Sequence, residues 1–147
     1  MKKLLYEYGE TMVEAVIALS IIILTVLVVT GHTAPKDAGY IVGQASWYSV
    51  NSCAQEGSSG ITASGIKLND NGLTCAMRSR EFGKKYIVRN LDNGKEITVL
   101  HNDFGPAKSY KGRDLSDRIV DLSKNAFAQI AELDRGIIRV AVKEAKE

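Results

Sequence analysis

Asp103 is the acid around which chemistry could be built. It lies in His101-Asn102-Asp103-Phe104-Gly105-Pro106. A carboxylic acid whose pKa is raised by a partly apolar pocket can protonate a leaving group and then take a proton back. His101 stands two residues earlier, so strand alternation would put both side chains on one face and an imidazole beside the acid. The same segment is also good turn chemistry, because Asn and Asp side chains bond the local backbone. A ligand-contacting and a structural Asp103 both fit. Asp121, in Ile119-Val120-Asp121-Leu122-Ser123, reads as structural, placed just before a helix. Asp114 and Asp117 fall in a polar stretch, 108–117, expected to be a solvated loop. Trp47 and Tyr48 suit either the core of a first strand or the stacking of a flat ligand.

Composition narrows the field. The chain has 147 residues, enough for one domain of ordinary size, and a net charge of +2 with both signs interspersed. No basic run is interleaved with aromatics, so nucleic acid is excluded as a partner. Cys53 and Cys75 fit no zinc spacing. No metal and no cofactor are expected.

The apolar residues concentrate in one place. From Met12 to Val29 the only polar or charged residues are Glu14, Ser20 and Thr25, about the length that spans a bilayer as a helix. Lys2 and Lys3 precede it and favour a cytoplasmic N-terminus. Residues 1–34 are expected to anchor the chain in the membrane, residues 35–42 to link, residues 43–142 to fold, and residues 143–147 to form a charged tail. The chain beyond the anchor would lie outside the cytoplasm, where disulfides persist. A Cys53–Cys75 bridge would close a loop of roughly twenty residues and add about 3 kcal/mol in the chain-entropy picture. Two free thiols are the alternative.

The elements that must position these residues read as short strands and one helix. Ile41 to Tyr48 alternates loosely and suits a first strand. Asn51 to Gly65, rich in Ser and Gly, reads as a long loop. Gly72 to Met77 holds a short strand. Lys85 to Asn90 and Lys95 to Leu100 alternate around Leu91-Asp92-Asn93-Gly94, a hairpin mark. Leu122 to Leu133 carries Phe127, Ile130 and Leu133 at helical spacing, and the helix is expected to end before Gly136. Ile137 to Val142 is a last strand. The set argues a mainly β fold, a small barrel rather than a sandwich.

A series of segments then carries a resemblance. Gln44-Ala45-Ser46-Trp47-Tyr48, Thr62-Ala63-Ser64-Gly65, Leu73-Thr74-Cys75-Ala76, Phe82-Gly83, Val88 to Lys95, Asn102-Asp103-Phe104-Gly105-Pro106 and Arg118 to Ser123 occur in that order. Together they resemble the rare lipoprotein A family of double-psi β-barrels, found in septal lytic transglycosylases and, more distantly, in expansins. The resemblance runs from about Gly43 to Val142. It implies a six-stranded double-psi barrel with a short helix. It also implies peptidoglycan glycan strands as the partner, with Asp103 as general acid/base; Trp47, Tyr48, Thr62, Ser64, His101 and Asn102 are then the candidates for contact with glycan. The lytic members have a Glu where this chain has Ile66, a His where it has Met77, and an Arg where it has Phe104. Of their Glu, His and Asp, only the Asp is kept. One acid can still suffice for a lytic transglycosylase, because the sugar's own hydroxyl closes an anhydro ring and no water need be activated.

The N-terminus carries a second resemblance. Gly9-Glu10-Thr11-Met12-Val13-Glu14 before an apolar run is similar to the type IV prepilin leader, where cleavage occurs after the Gly and a Glu stays within the apolar helix. Glu10 departs from that pattern. The expectation is a membrane-tethered protein of the bacterial cell envelope that acts on peptidoglycan as a lytic transglycosylase-like lyase. The alternatives are a non-catalytic or expansin-like wall-binding module, and a pilin-like subunit that displays the barrel. Division or pilus-assembly proteins are the protein partners this points to.

Overall fold

A computed structural model describes residues 39–146. The apolar run from Met12 to Val29 and the prepilin-like segment around Gly9 and Glu14 lie outside the described residues. Among the described residues no helix is long and apolar enough to cross a membrane.

The strands are β1 (Ile41–Tyr48), β2 (Thr74–Met77), β3 (Lys85–Asn90), β4 (Glu96–Phe104), β5 (Ser109–Tyr110), β6 (Arg113–Asp114), β7 (Arg118–Ser123) and β8 (Ile137–Glu144). The helices are α1 (Val50–Gln55) and α2 (Lys124–Ile130), with a 3₁₀ turn, Leu133–Arg135, after the second. Six strands close into a barrel in the order β1-β7-β2-β4-β3-β8. Two pairs are parallel, β1 with β7 and β2 with β4, and each carries a one-residue slip. Between Gln44 and Ala45 the partner strand advances from Arg118 to Val120, so Ile119 is the extra residue. Between Cys75 and Ala76 the partner advances from His101 to Asp103, so Asn102 is the extra residue. Such bulges bend a strand and re-aim its side chains. Gly43 is required at the first bulge, because a Cβ there would meet Ile119 Cγ2 at 2.7 Å and the Asp117 carbonyl at 2.8 Å.

Alternation explains the core. Val88, Ile97, Val99, Val120, Leu122, Ile138, Val140 and Val142 turn inward from their strands, and Ala126, Phe127 and Ile130 of α2 close one end. Phe127 is fully buried, which by transfer alone contributes about 1.5–3 kcal/mol. The hairpin forms as its spacing predicts, with β3 and β4 antiparallel. Its turn is fastened to α2, for Asn90 Nδ2 and Asn93 Nδ2 donate to the Ile130 carbonyl at 2.8 and 2.9 Å.

Several expectations are corrected. The helix is shorter than Leu122 to Leu133, because Leu122 and Ser123 stay in β7. There the Ser123 hydroxyl donates to the Gly72 carbonyl at 2.5 Å and accepts the Thr74 N–H at 3.3 Å. The Ser/Gly-rich stretch after Tyr48 begins as a helix, since Ser49 and Ser52 form a capping box. The polar stretch 108–117 folds as the β5–β6 hairpin. Arg78 holds it down by donating to the carbonyls of Pro106, Leu115 and Ser116 at 3.0, 2.8 and 3.1 Å.

The expected disulfide is absent: Cys53 and Cys75 are both free. Cys75 is committed to the barrel interior, packed in the core cluster. Cys53 lies on α1, which buries none of its residues. Burial pushes the Cys75 thiol up to about 12, and burial, with help from Glu56, also raises that of Cys53.

Candidate active site

Asp103 stands near the end of β4, just past the bulge. Its Oδ1 accepts the N–H of Ala63 and the N–H of Phe104, both at 2.8 Å. The Ser64 N–H adds a bond to the Asn102 carbonyl at 3.1 Å. These contacts seat the 62–66 loop on the strand end. The loop itself is locked by Thr62, whose buried hydroxyl donates to the Ile66 carbonyl at 2.9 Å and meets the Ser64 hydroxyl at 3.1 Å. Among the described residues, Oδ2 of Asp103 has no hydrogen-bond partner. The carboxylate is therefore held by one oxygen and open at the other.

Two buried polar atoms in this region also lack partners: the Tyr48 hydroxyl and Asn102 Oδ1. Asn102 is only 5% exposed. Burial raises the Tyr48 phenol well above its ordinary value, and the charge of Asp103 adds to the effect. The Thr74 side chain acts in the opposite direction, but no contact within hydrogen-bond geometry satisfies the phenol oxygen. An orphaned buried polar group costs about 1–3 kcal/mol.

His101 does not reach this surface, and its expected role is corrected. It is fully buried, its ring nitrogens face the carbonyls of Glu81 at 3.2 Å and Asp103 at 3.0 Å, and the rings of Phe82 and Tyr86 meet it edge-on. The bulge at Asn102 breaks the alternation that would have put His101 and Asp103 on one face. Trp47 is part of the packing, with Nε1 donating to the Leu133 carbonyl at 3.0 Å. Thr62 serves the loop, and Ser64 contributes its backbone as well as its hydroxyl.

A second carboxyl lies close by. Ala76 is the register partner of Asp103 on one side and of Asp121 on the other, so the two acids are about 10 Å apart at Cα by strand spacing. Asp121 accepts a short hydrogen bond from the Ser46 hydroxyl, and a Cβ on Gly105 would lie 3.7 Å from its Oδ2. Burial pushes its carboxyl above the ordinary value, while Ser46, Arg118 and Arg78 pull it back. Sequence alone presents Asp121 as a helix-start residue. Its nearness to Asp103 comes from pairing in the β7 register, which only the closed barrel displays.

The positions that depart from the lytic pattern are now placed. Ile66 is 52% exposed on the 62–66 loop. Met77 packs against the core cluster. Phe104 is exposed next to Asp103. Among the described residues, no three His, Cys, Asp or Glu side chains converge on a metal-binding point.

The chain is similar in sequence and in fold to known proteins. The chain is 35% identical over 103 residues to the endolytic peptidoglycan transglycosylase RlpA of Pseudomonas aeruginosa, covering 70% of this chain and 27% of that protein. It is 33% identical over 101 residues to the protein of the same name from Campylobacter jejuni, covering 69% of this chain and 32% of that one. The chain thus spans about a quarter to a third of the length of these curated relatives. Among solved structures, the Streptomyces papain inhibitor superposes with a TM-score of 0.54 at 21% identity, over 73% of this chain and 94% of that one. The apo expansin of Clavibacter michiganensis superposes at 0.51 and 19% identity, over 74% and 51%. At those identities the two likenesses bear on the fold alone. The lytic transglycolase family matches residues 40–142, the closed barrel up to the last two residues of β8, and this chain belongs to that family as an RlpA-like double-psi β-barrel.

Proposed function

We propose that the barrel cleaves peptidoglycan glycan strands as a lytic transglycosylase-like lyase, with Asp103 as the general acid/base. One observation carries this reading: Asp103 is anchored through Oδ1 and open at Oδ2, next to buried polar atoms of Tyr48 and Asn102 that have no partner. The open oxygen is the one that can carry a proton. It gives that proton to the bridging oxygen as the glycosidic C–O bond breaks. The sugar's own hydroxyl then closes on the anomeric carbon and passes its proton back to the same oxygen, so the carboxyl is regenerated without a water. Tyr48 and Asn102 bind polar groups of the glycan, which the relatives named as peptidoglycan transglycosylases support as the ligand class.

The test is release of anhydro-muropeptides from purified glycan strands by the full chain, read by mass spectrometry. Product from the native protein and none from Asp103→Asn supports the reading. Product that persists in Asp103→Asn removes Asp103 from the mechanism.

A second reading, binding without cleavage, is favoured by Ile66 and Met77 standing where lytic members have a Glu and a His. Pull-down on wall sacculi with no anhydro product would establish it.

For the whole chain, the reading includes an anchor from Met12 to Val29 that tethers the barrel outside the cytoplasmic membrane of a bacterial envelope. The prepilin-like spacing of Gly9 and Glu14 offers the alternative of a filament subunit. Sequencing the mature N-terminus separates them: a chain that begins at Glu10 favours the filament, and one that begins at Met1 or after Ala34 removes it.

A further inference from the structure

We propose that Arg80 and Phe104 form a carboxylate-binding rim beside Asp103, a subsite for an acidic group carried by the glycan. The proposal rests on the reading that the barrel binds peptidoglycan. Phe104 comes directly after Asp103 at the end of β4 and is 47% exposed. The Arg80 guanidinium lies over its ring, 4.3 Å from the centroid. Pairing of β2 with β4 explains the meeting, because Met77 is the register partner of Phe104 and Arg80 comes three residues later. A ring face holds a guanidinium by cation–π attraction and orients its planar fork.

What distinguishes Arg80 is a seat on an aromatic ring without an acid partner, for Arg89, which lies over the Tyr40 ring, is paired with Glu96. Arg89 pairs with Glu96 and Arg135 with Asp92. Arg78 directs its N–H groups into backbone carbonyls. Among the described residues, Arg80 makes no ion pair. Its fork is oriented, exposed and open, over the residue next to the acid that would do the chemistry. A fork of this kind takes a carboxylate through two parallel N–H···O bonds. The motif position that is Arg in lytic members is Phe104 here, and Arg80 from the β2–β3 connection lies over it. Peptidoglycan carries carboxylates in two places: on the lactyl group of a muramic acid without a peptide, and on the stem peptide.

The test measures dissociation constants for the full chain and its Arg80→Gln and Arg80→Lys variants. The ligands are glycan strands without stem peptides, strands with them, and both after their carboxyls are converted to amides. Arg80→Gln should weaken binding of a carboxylate-bearing strand at least tenfold and leave the amidated strands unaffected. Arg80→Lys should fall between, since it keeps charge but loses the fork. The strand that loses affinity identifies which carboxylate is bound. Equal affinities for wild type and Arg80→Gln on every strand would overturn the proposal, as would an equal loss on the amidated strands. Wild-type affinity that is unchanged by amidation would overturn it without any variant. Anhydro product is read in the same samples: binding that depends on Arg80 with no product ends the lyase reading and leaves the rim standing. A wild type that binds no strand ends both.

Discussion

The two ends of β4 carry the same residue types and end in opposite states. At the start of the strand, Asn90 to Lys95 is closed. Asn90 and Asn93 donate to the Ile130 carbonyl, and their side-chain oxygens accept the N–H groups of Asp92 and Lys95, each at 2.9 Å. Every side-chain amide there has a partner on both its nitrogen and its oxygen. At the far end, Asn102 Oδ1 and the nearby Tyr48 hydroxyl are buried without partners, and Asp103 keeps an open oxygen. Asx-rich turns satisfy the backbone wherever they occur. A polar group left over after that is done calls for an account of its own: a ligand, an ordered water or stored strain.

The sharpest way to break the contrast is at Asp103. Asp103→Asn should still accept both N–H bonds through its amide oxygen and so keep its thermal midpoint. It should lose anhydro product at least about 100-fold, the scale of general acid/base catalysis. A large fall in the midpoint instead would class Asp103 with the closed turn. Next is the closed turn itself. Asn90→Ala strips one donor from Ile130 and the acceptor of the Asp92 N–H, and should cost about 1–3 kcal/mol in denaturant unfolding with glycan affinity unchanged. A change in affinity would erase the distinction between the ends.

Smaller and opposite in sign is Tyr48→Phe. Removing a buried hydroxyl that has no partner should leave the unliganded protein as stable or up to about 1 kcal/mol more stable, and should weaken glycan binding several-fold by titration. Lower stability would show that the hydroxyl is satisfied in solution.

The smallest effect is one of pH. Asp121 is raised by burial, so the folded state binds more protons than the unfolded state between about pH 3.9, the ordinary Asp value, and the raised native value. Stability contributed by the neutral carboxyl is complete below that window and is lost as pH rises through it. Thermal midpoints measured across the window should fall with pH in the wild type and flatten in Asp121→Asn. An unchanged slope in the variant would assign the effect to another group.

Much of this is legible in the residues. The Asn-Gly turn between alternating runs locates β3 and β4, and the ordered motifs locate the barrel. Asp103 stands out by its motif. His101 is misplaced by sequence alone because spacing by two predicts a shared face only in an unbroken strand, and β4 bulges at Asn102. A bridge between Cys53 and Cys75 is wrongly expected because the count and spacing of thiols carry no direction, and Cys75 faces the core. Asp121 is undervalued because its neighbour across Ala76 sits on another strand, far away in the chain.

By itself the sequence determined the barrel, its strands other than β7, and the identity of the one retained acid, since alternation, turn residues and motif order are local properties of the chain. Which polar atoms are satisfied, which oxygen of Asp103 stays open, and that Arg80 lies over Phe104 were decided only by the tertiary structure. Closing six strands in a crossed order brings together residues that no local pattern relates, and hydrogen-bond satisfaction is a property of that meeting.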